Sequence, residues 1–80
     1  MARVVFPDNY LKITAGEREV PSEAASYREL FDELTTRWPD LADILNKAAV
    51  AIDGQIYQDP LLEEIGPTSE VFFLERIEGG

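Results

Sequence analysis

From Ser26 to Trp38 the apolar residues recur with the step of a single helix face. Tyr27, Leu30, Phe31, Leu34 and Trp38 follow one another at intervals of three, one, three and four, which aligns them as one stripe of an α-helix. Ser26 and Glu29 have the capping-box form, Ser at the N-cap and Glu three residues on. Trp38-Pro39 sets the other end, because the ring of Pro39 disfavours helical backbone at Trp38. Arg28–Asp32 and Glu33–Arg37 are spaced to pair on the wet face, at ~0.2–0.5 kcal/mol each.

A one-sided helix needs an apolar surface to lie on, and strand-like segments flank it. Arg3 to Phe6 is a β-branched and aromatic run stopped by Pro7-Asp8-Asn9. Tyr10 to Thr14 alternates and predicts a second strand, followed by Ala15-Gly16-Glu17 as punctuation. Arg18 to Pro21 is expected to be an irregular extension with Val20 inward. Beyond the helix, Asp40 is placed to cap a shorter helix with Leu41, Ile44 and Leu45 as its stripe. Ala48 to Ile52 reads as a strand, with Val50 and Ile52 facing away from Ala49 and Ala51. Asp53-Gly54 marks a tight turn into a short strand over Gln55 to Gln58. Asp59 to Ile65 predicts one or two helical turns, started by Pro60 and ended at Gly66. Val71 to Leu74 is the last strand, with Val71 and Phe73 inward.

Two strands, a crossover helix and further strands make an α+β plan, the β-grasp. One main helix crosses one face of a mixed sheet, and the first and last strands pair in parallel at its centre. Residues 1–76 are expected to form this domain, and 77–80 a flexible tail.

Composition narrows the function. The 80 residues suit one small domain, which buries a little over ~60% of the surface of its unfolded chain. Cysteine and histidine are both absent, removing thiolate chemistry, disulfides, the commonest general base and the commonest transition-metal ligand. The net charge of −9 disfavours nucleic acid and anionic membranes and favours a basic protein partner. The first residues lack the form of a signal peptide, and no run approaches the ~18 apolar residues of a membrane span. A cytoplasmic location is the expectation, and the missing cysteines suit it. The acidic pairs Asp32/Glu33, Glu63/Glu64, Glu17/Glu19 and Asp53/Asp59 lack the spacing of a calcium loop and read as solvated surface.

Two features remain. If Val71 and Phe73 point inward, alternation places Phe72 and Leu74 on the opposite face, as an interface or under a covering such as Tyr10. The sequence then runs through Glu75-Arg76-Ile77-Glu78 to Gly79-Gly80. A terminal carboxylate is ionised at neutral pH and must be activated before it can donate an acyl group. Two glycines without a Cβ can thread a channel that rejects larger residues, and four extended residues reach ~13–14 Å.

With these residues in view, the chain resembles the MoaD/ThiS family of ubiquitin-like sulfur-carrier proteins. "VAIDGQ" before the predicted helical turn, "GPTSEVFFL" leading into the last strand and the final "GG" carry the resemblance, together with size and element order. The resemblance implies that Gly80 is adenylated by a partner activating enzyme using ATP. The adenylate is then converted to a thiocarboxylate that gives its sulfur to an acceptor enzyme. It implies that Gly79, matching the second family glycine, threads the partner's channel and that Leu74 meets partners; Phe72, Arg76 and Ile77 are expected to join Leu74 in that interface. It implies no catalytic residue, no metal and no bound cofactor in this chain, which at most serves as the non-catalytic small subunit of a sulfur-transfer enzyme. The two-helix middle, Ser26 to Asn46, favours the molybdopterin branch over the thiazole branch, with a molybdopterin-synthase large subunit as the acceptor. Glu75 and Arg76 stand where that branch commonly carries two prolines. Two other functions share these features: a ubiquitin-like modifier conjugated through Gly80 to target lysines, and a non-covalent β-grasp interaction module.

Overall fold

The computed structural model describes residues 1–75. Five strands and two helices follow in the order β1 (Ala2–Val5), β2 (Glu19–Ser22), α1 (Tyr27–Arg37), α2 (Leu41–Asn46), β3 (Ala48–Ile52), β4 (Gln55–Tyr57) and β5 (Glu70–Glu75). The strands form one sheet in the order β2-β1-β5-β3-β4. The β1–β5 pair is parallel, and the other pairs are antiparallel. The last strand therefore lies in the middle of the sheet, hydrogen-bonded on both sides.

One sheet face is closed by the helices. Val4 pairs with Val20 and Val71, Val71 with Ile52, and Phe73 with Val50, so one row of apolar side chains runs under α1. All six are buried, as are Tyr27, Leu30 and Leu34 from α1 and Leu41 and Leu45 from α2. Phe31 and Trp38, at the margins of the helical stripe, are half-buried against this core. Ser26 caps α1 as its spacing predicts, its Oγ accepting from the Glu29 backbone N–H at 3.3 Å. Neither expected helix-surface ion pair forms. Arg37 instead lies over the Trp38 ring, 4.2 Å from its centroid.

Four expectations are corrected. Tyr10–Thr14 is not a strand: a 3-10 turn spans Asp8–Tyr10 and further turns follow to residue 16. The turn swings Tyr10 into the core between Phe6 and Phe73, with centroids 6.2 and 5.8 Å away. Burying that ring outweighs the strand preference of the segment. The second strand is Glu19–Ser22 instead, and Pro21 is tolerated there because β2 is an edge strand. Asp40 makes no side-chain cap; α2 is entered through backbone turns, Leu41 N–H to the Trp38 carbonyl and Ala42 N–H to the Pro39 carbonyl. The Asp59–Ile65 segment is a turn and not a helix. Its backbone groups are taken by the start of α1, Tyr27 N–H donating to the Glu63 carbonyl and Ile65 N–H to the Ala25 carbonyl.

The Asp53-Gly54 turn forms as expected, both residues at positive φ (51° and 83°) between the paired Ile52 and Gln55. Asp53 also does something its turn signature does not announce. Its carboxylate accepts from Ser69 Oγ at 2.7 Å and from the Glu70 backbone N–H at 3.0 Å, while Ser69 Oγ accepts from the Gly66 N–H. The hairpin is thereby tied to the start of β5. The Ser69 hydroxyl first, and then the Glu70 amide, hold the Asp53 carboxyl below its usual pKa. A depressed folded-state pKa gives stability that is present above the unfolded value and is lost as pH falls through the folded one. Asp53→Asn keeps a residue that tolerates positive φ. Urea titrations should show this variant less stable than the parent at neutral pH, with the gap closing once the pH falls below ~4.

Candidate interaction face on the last strand

The helices cover one face of the sheet, and β5 presents Phe72 and Leu74 on the other. Each is 37% exposed, while Phe73 between them is 3% exposed. Tyr10 does not cover them, since its ring lies in the core on the opposite side. The strand register adds residues that alternation within one strand could not supply. Phe72 pairs with Val5 of β1 and Ala51 of β3, and Ala51 pairs with the exposed Ile56 of β4. Val5, Phe72, Ala51 and Ile56 thus cross four strands in one row, with Leu74 beside Ala49 one step along β5. Val5 and Ile56 are each visible in the sequence as strand residues. Only knowledge of which strands are neighbours joins them to Phe72.

The margin of this row is charged. Arg3 on β1 forms ion pairs with Glu19 at 3.3 Å and with Glu70, so one guanidinium sits between two carboxylates. These groups are about half exposed, and each pair contributes little to stability. Their effect is to leave a net negative margin beside an apolar row, which suits a partner with a positive rim.

Leu74 also borders a cavity of about 360 Å³, shared with Pro7, Tyr10, Ile44 and Phe73, with Lys47 and Glu75 at its edge. The Tyr10 phenol is pushed up to about 12, chiefly by burial and then by the Glu75 charge, and stays a neutral donor near neutral pH. Tyr27, edge-on to Phe73, is also raised by burial, with Tyr10 adding to the effect. Among the described residues no group of three carboxylates gathers to hold a metal ion. No helix among them is long and apolar enough to cross a membrane. What this face can do is bind: an apolar row, two bulky anchors and fixed charges beside them.

Of the residues singled out from the sequence, the structure brings Phe72 and Leu74 to one open face. Arg76, Ile77, Gly79 and Gly80 lie outside the described residues.

A five-stranded mixed sheet with its first and last strands parallel at the centre and a helix across one face is the ubiquitin-like β-grasp fold. Solved structures bear this out over the whole chain. CysO of Amycolatopsis orientalis, from the crystal structure of the BexX/CysO complex, superposes with a TM-score of 0.84 at 19% identity, covering 100% of both chains. The solution structure of small archaeal modifier protein 1 (SAMP1) from Methanosarcina acetivorans superposes with a TM-score of 0.78 at 18% identity, covering 99% of this chain and 95% of that one. No family model matches the chain, and no curated protein matches its sequence.

Proposed function

We propose that this chain is a sulfur carrier of the MoaD/ThiS type, activated at the carboxylate of Gly80. A partner enzyme docks on the Phe72 and Leu74 face and draws the residues after Glu75 into its active site, with Arg76 and Ile77 in contact and Gly79 in the narrowest part. The Gly80 carboxylate attacks the α-phosphorus of ATP, and pyrophosphate leaves. Hydrosulfide then attacks the acyl carbon, displaces AMP and loses its proton, leaving a terminal thiocarboxylate for an acceptor enzyme in cofactor biosynthesis. The chain supplies no catalytic side chain in this scheme, and ATP is bound by the partner. The two-helix middle of the domain favours a molybdopterin-type acceptor over a thiazole-type one.

The observation that carries the reading is the setting of β5. It is the central strand, fixed on both sides by β1 and β3. It exposes Phe72 and Leu74, and Gly79-Gly80 come within a few residues of its end. A rigid strand aims the residues after it, and an apolar face beside the exit gives a partner its grip. The shared fold of CysO, solved in complex with BexX, supports a carrier that works by docking. The likeness to a small archaeal modifier favours one second reading, in which a lysine amine attacks the same adenylate and Gly80 becomes isopeptide-linked. A purely non-covalent β-grasp module is the third.

The test of activation is pyrophosphate exchange. With ATP and the adenylating enzyme encoded in the same genome, exchange should depend on this chain and saturate with it. Exchange that never depends on the chain, with any such enzyme, contradicts both covalent readings. In the same assay Leu74→Asp should raise the half-saturating carrier concentration about tenfold or more. Its melting temperature should shift by only ~4 °C or less, because the side chain is already partly in water. Unchanged saturation would remove Leu74 from the interface.

A further inference from the structure

The loop from Gln58 to Ile65 lies on the helical side of the sheet, against α1 and away from Phe72 and Leu74. Its two leucines point outward: Leu61 is 47% exposed and Leu62 86%. Fraying does not explain this, because the loop backbone is braced. Glu63 N–H donates to the Pro60 carbonyl at 2.8 Å, Tyr27 N–H to the Glu63 carbonyl at 2.9 Å, and Ile65 N–H to the Ala25 carbonyl at 3.0 Å. Pro60 and Ile65 on either side are buried. A helix over this segment would turn Leu62 toward the same side as Ile65; the turn that forms instead holds it in water.

Next to Leu61 is a cavity of about 340 Å³, walled by Tyr27, Phe31, Leu45, Ala48 and Pro60. It has room for one large aliphatic or aromatic side chain, and exposed leucines beside an apolar recess mark an interaction surface. The loop beside it is acidic: from Gln58 to Ile65 the chain carries three carboxylates (Asp59, Glu63, Glu64) and no lysine or arginine. On the facing helix Arg28 and Asp32 flank Phe31 and offset each other. A second copy of this chain, also at −9, would bring like charges together.

We propose that Leu61, Leu62 and the adjoining cavity form a second docking surface, which takes a basic amphipathic segment of a partner protein. One apolar side chain of that segment enters the cavity, and its lysines or arginines meet Glu63 and Glu64. The surface lies across the domain from the Phe72 and Leu74 face, so both can be occupied at once. It does not depend on activation of Gly80.

Two synthetic peptides test this by NMR on the full chain: an amphipathic leucine–lysine helix, and its counterpart with glutamate replacing each lysine. The lysine peptide should give saturable amide shifts centred on Phe31, Leu45, Leu61 and Leu62, and the glutamate peptide none. Leu62→Glu should weaken the lysine peptide about tenfold or more without lowering the melting temperature. Leu74→Asp should leave its affinity unchanged, and added salt should weaken it. Absence of saturable binding, or shifts centred on Val5, Phe72 and Leu74, overturns the proposal. So does concentration-dependent self-association abolished by Leu62→Glu, which would make a second copy the occupant.

Discussion

Removal of Gly79 and Gly80 should abolish chain-dependent pyrophosphate exchange while leaving the domain folded. The two effects separate because the described core closes between Ala2 and Phe73. Every buried contact there survives a cut after Glu78, so the melting temperature should stay within ~4 °C of the parent. The chemistry has no such tolerance. In the proposed scheme the truncated chain ends in the carboxylate of Glu78, two residues short of the reacting position and carrying a charged side chain. Gly79→Val should fall between parent and truncation, since the carboxylate keeps its position but a branched Cβ must pass the partner's channel. If the truncated chain supports exchange as well as the parent does, the tail is inert and the domain is a non-covalent module.

The second large effect lies in the strand that leads to the tail. Phe73→Ala should cost about 3–5 kcal/mol, the usual range for a buried phenylalanine. Phe73 is the hub of an aromatic cluster: stacked on Phe6 at 5.9 Å, tilted against Tyr10 at 5.8 Å and edge-on to Tyr27 at 6.4 Å. A domain of this size has a total stability of only ~4–12 kcal/mol, so the variant should melt at least ~12 °C lower or fail to fold. Phe72→Ala is the control, the same residue type one position away on the same strand. Its side chain is on the open face, and its loss should cost ~1 kcal/mol or less. Urea denaturation of the two variants compares them directly. Equal costs would contradict the inward and outward alternation of β5, and with it the assignment of Phe72 and Leu74 to a binding face.

Much of this fold is legible in the sequence because local signals and packing agree. In α1, the Ser26 cap, the apolar stripe and Pro39 all specify one element, and it spans Tyr27–Arg37. At Asp53-Gly54 the turn residues suit the positive φ values that the hairpin requires. The alternation of Val71 and Phe73 against Phe72 and Leu74 is correct for the same reason. Misreadings fall where a distant partner decides. Tyr10 abandons a strand-like pattern because its ring completes the cluster around Phe73. Asp59–Ile65 forgoes helix because its carbonyl and amide groups pair with the chain near the start of α1, more than thirty residues earlier. The proposed binding face is half legible on the same principle. Phe72 and Leu74 emerge from period two within one strand, whereas Val5, Ala51 and Ile56 join them only through the order β1-β5-β3-β4.

The chemistry proposed at Gly80 can be tested by intact mass spectrometry of the protein isolated from its native cell. The expected result is a chain ending at Gly80 with a fraction heavier by the exchange of one oxygen for sulfur. The added mass should be localised to the terminal residue by fragmentation and lost when the activating enzyme is deleted. A chain that carries only an unmodified carboxylate, continues past Gly80, or is found with Gly80 joined to lysine amines and never as a thiocarboxylate would contradict the sulfur-carrier reading.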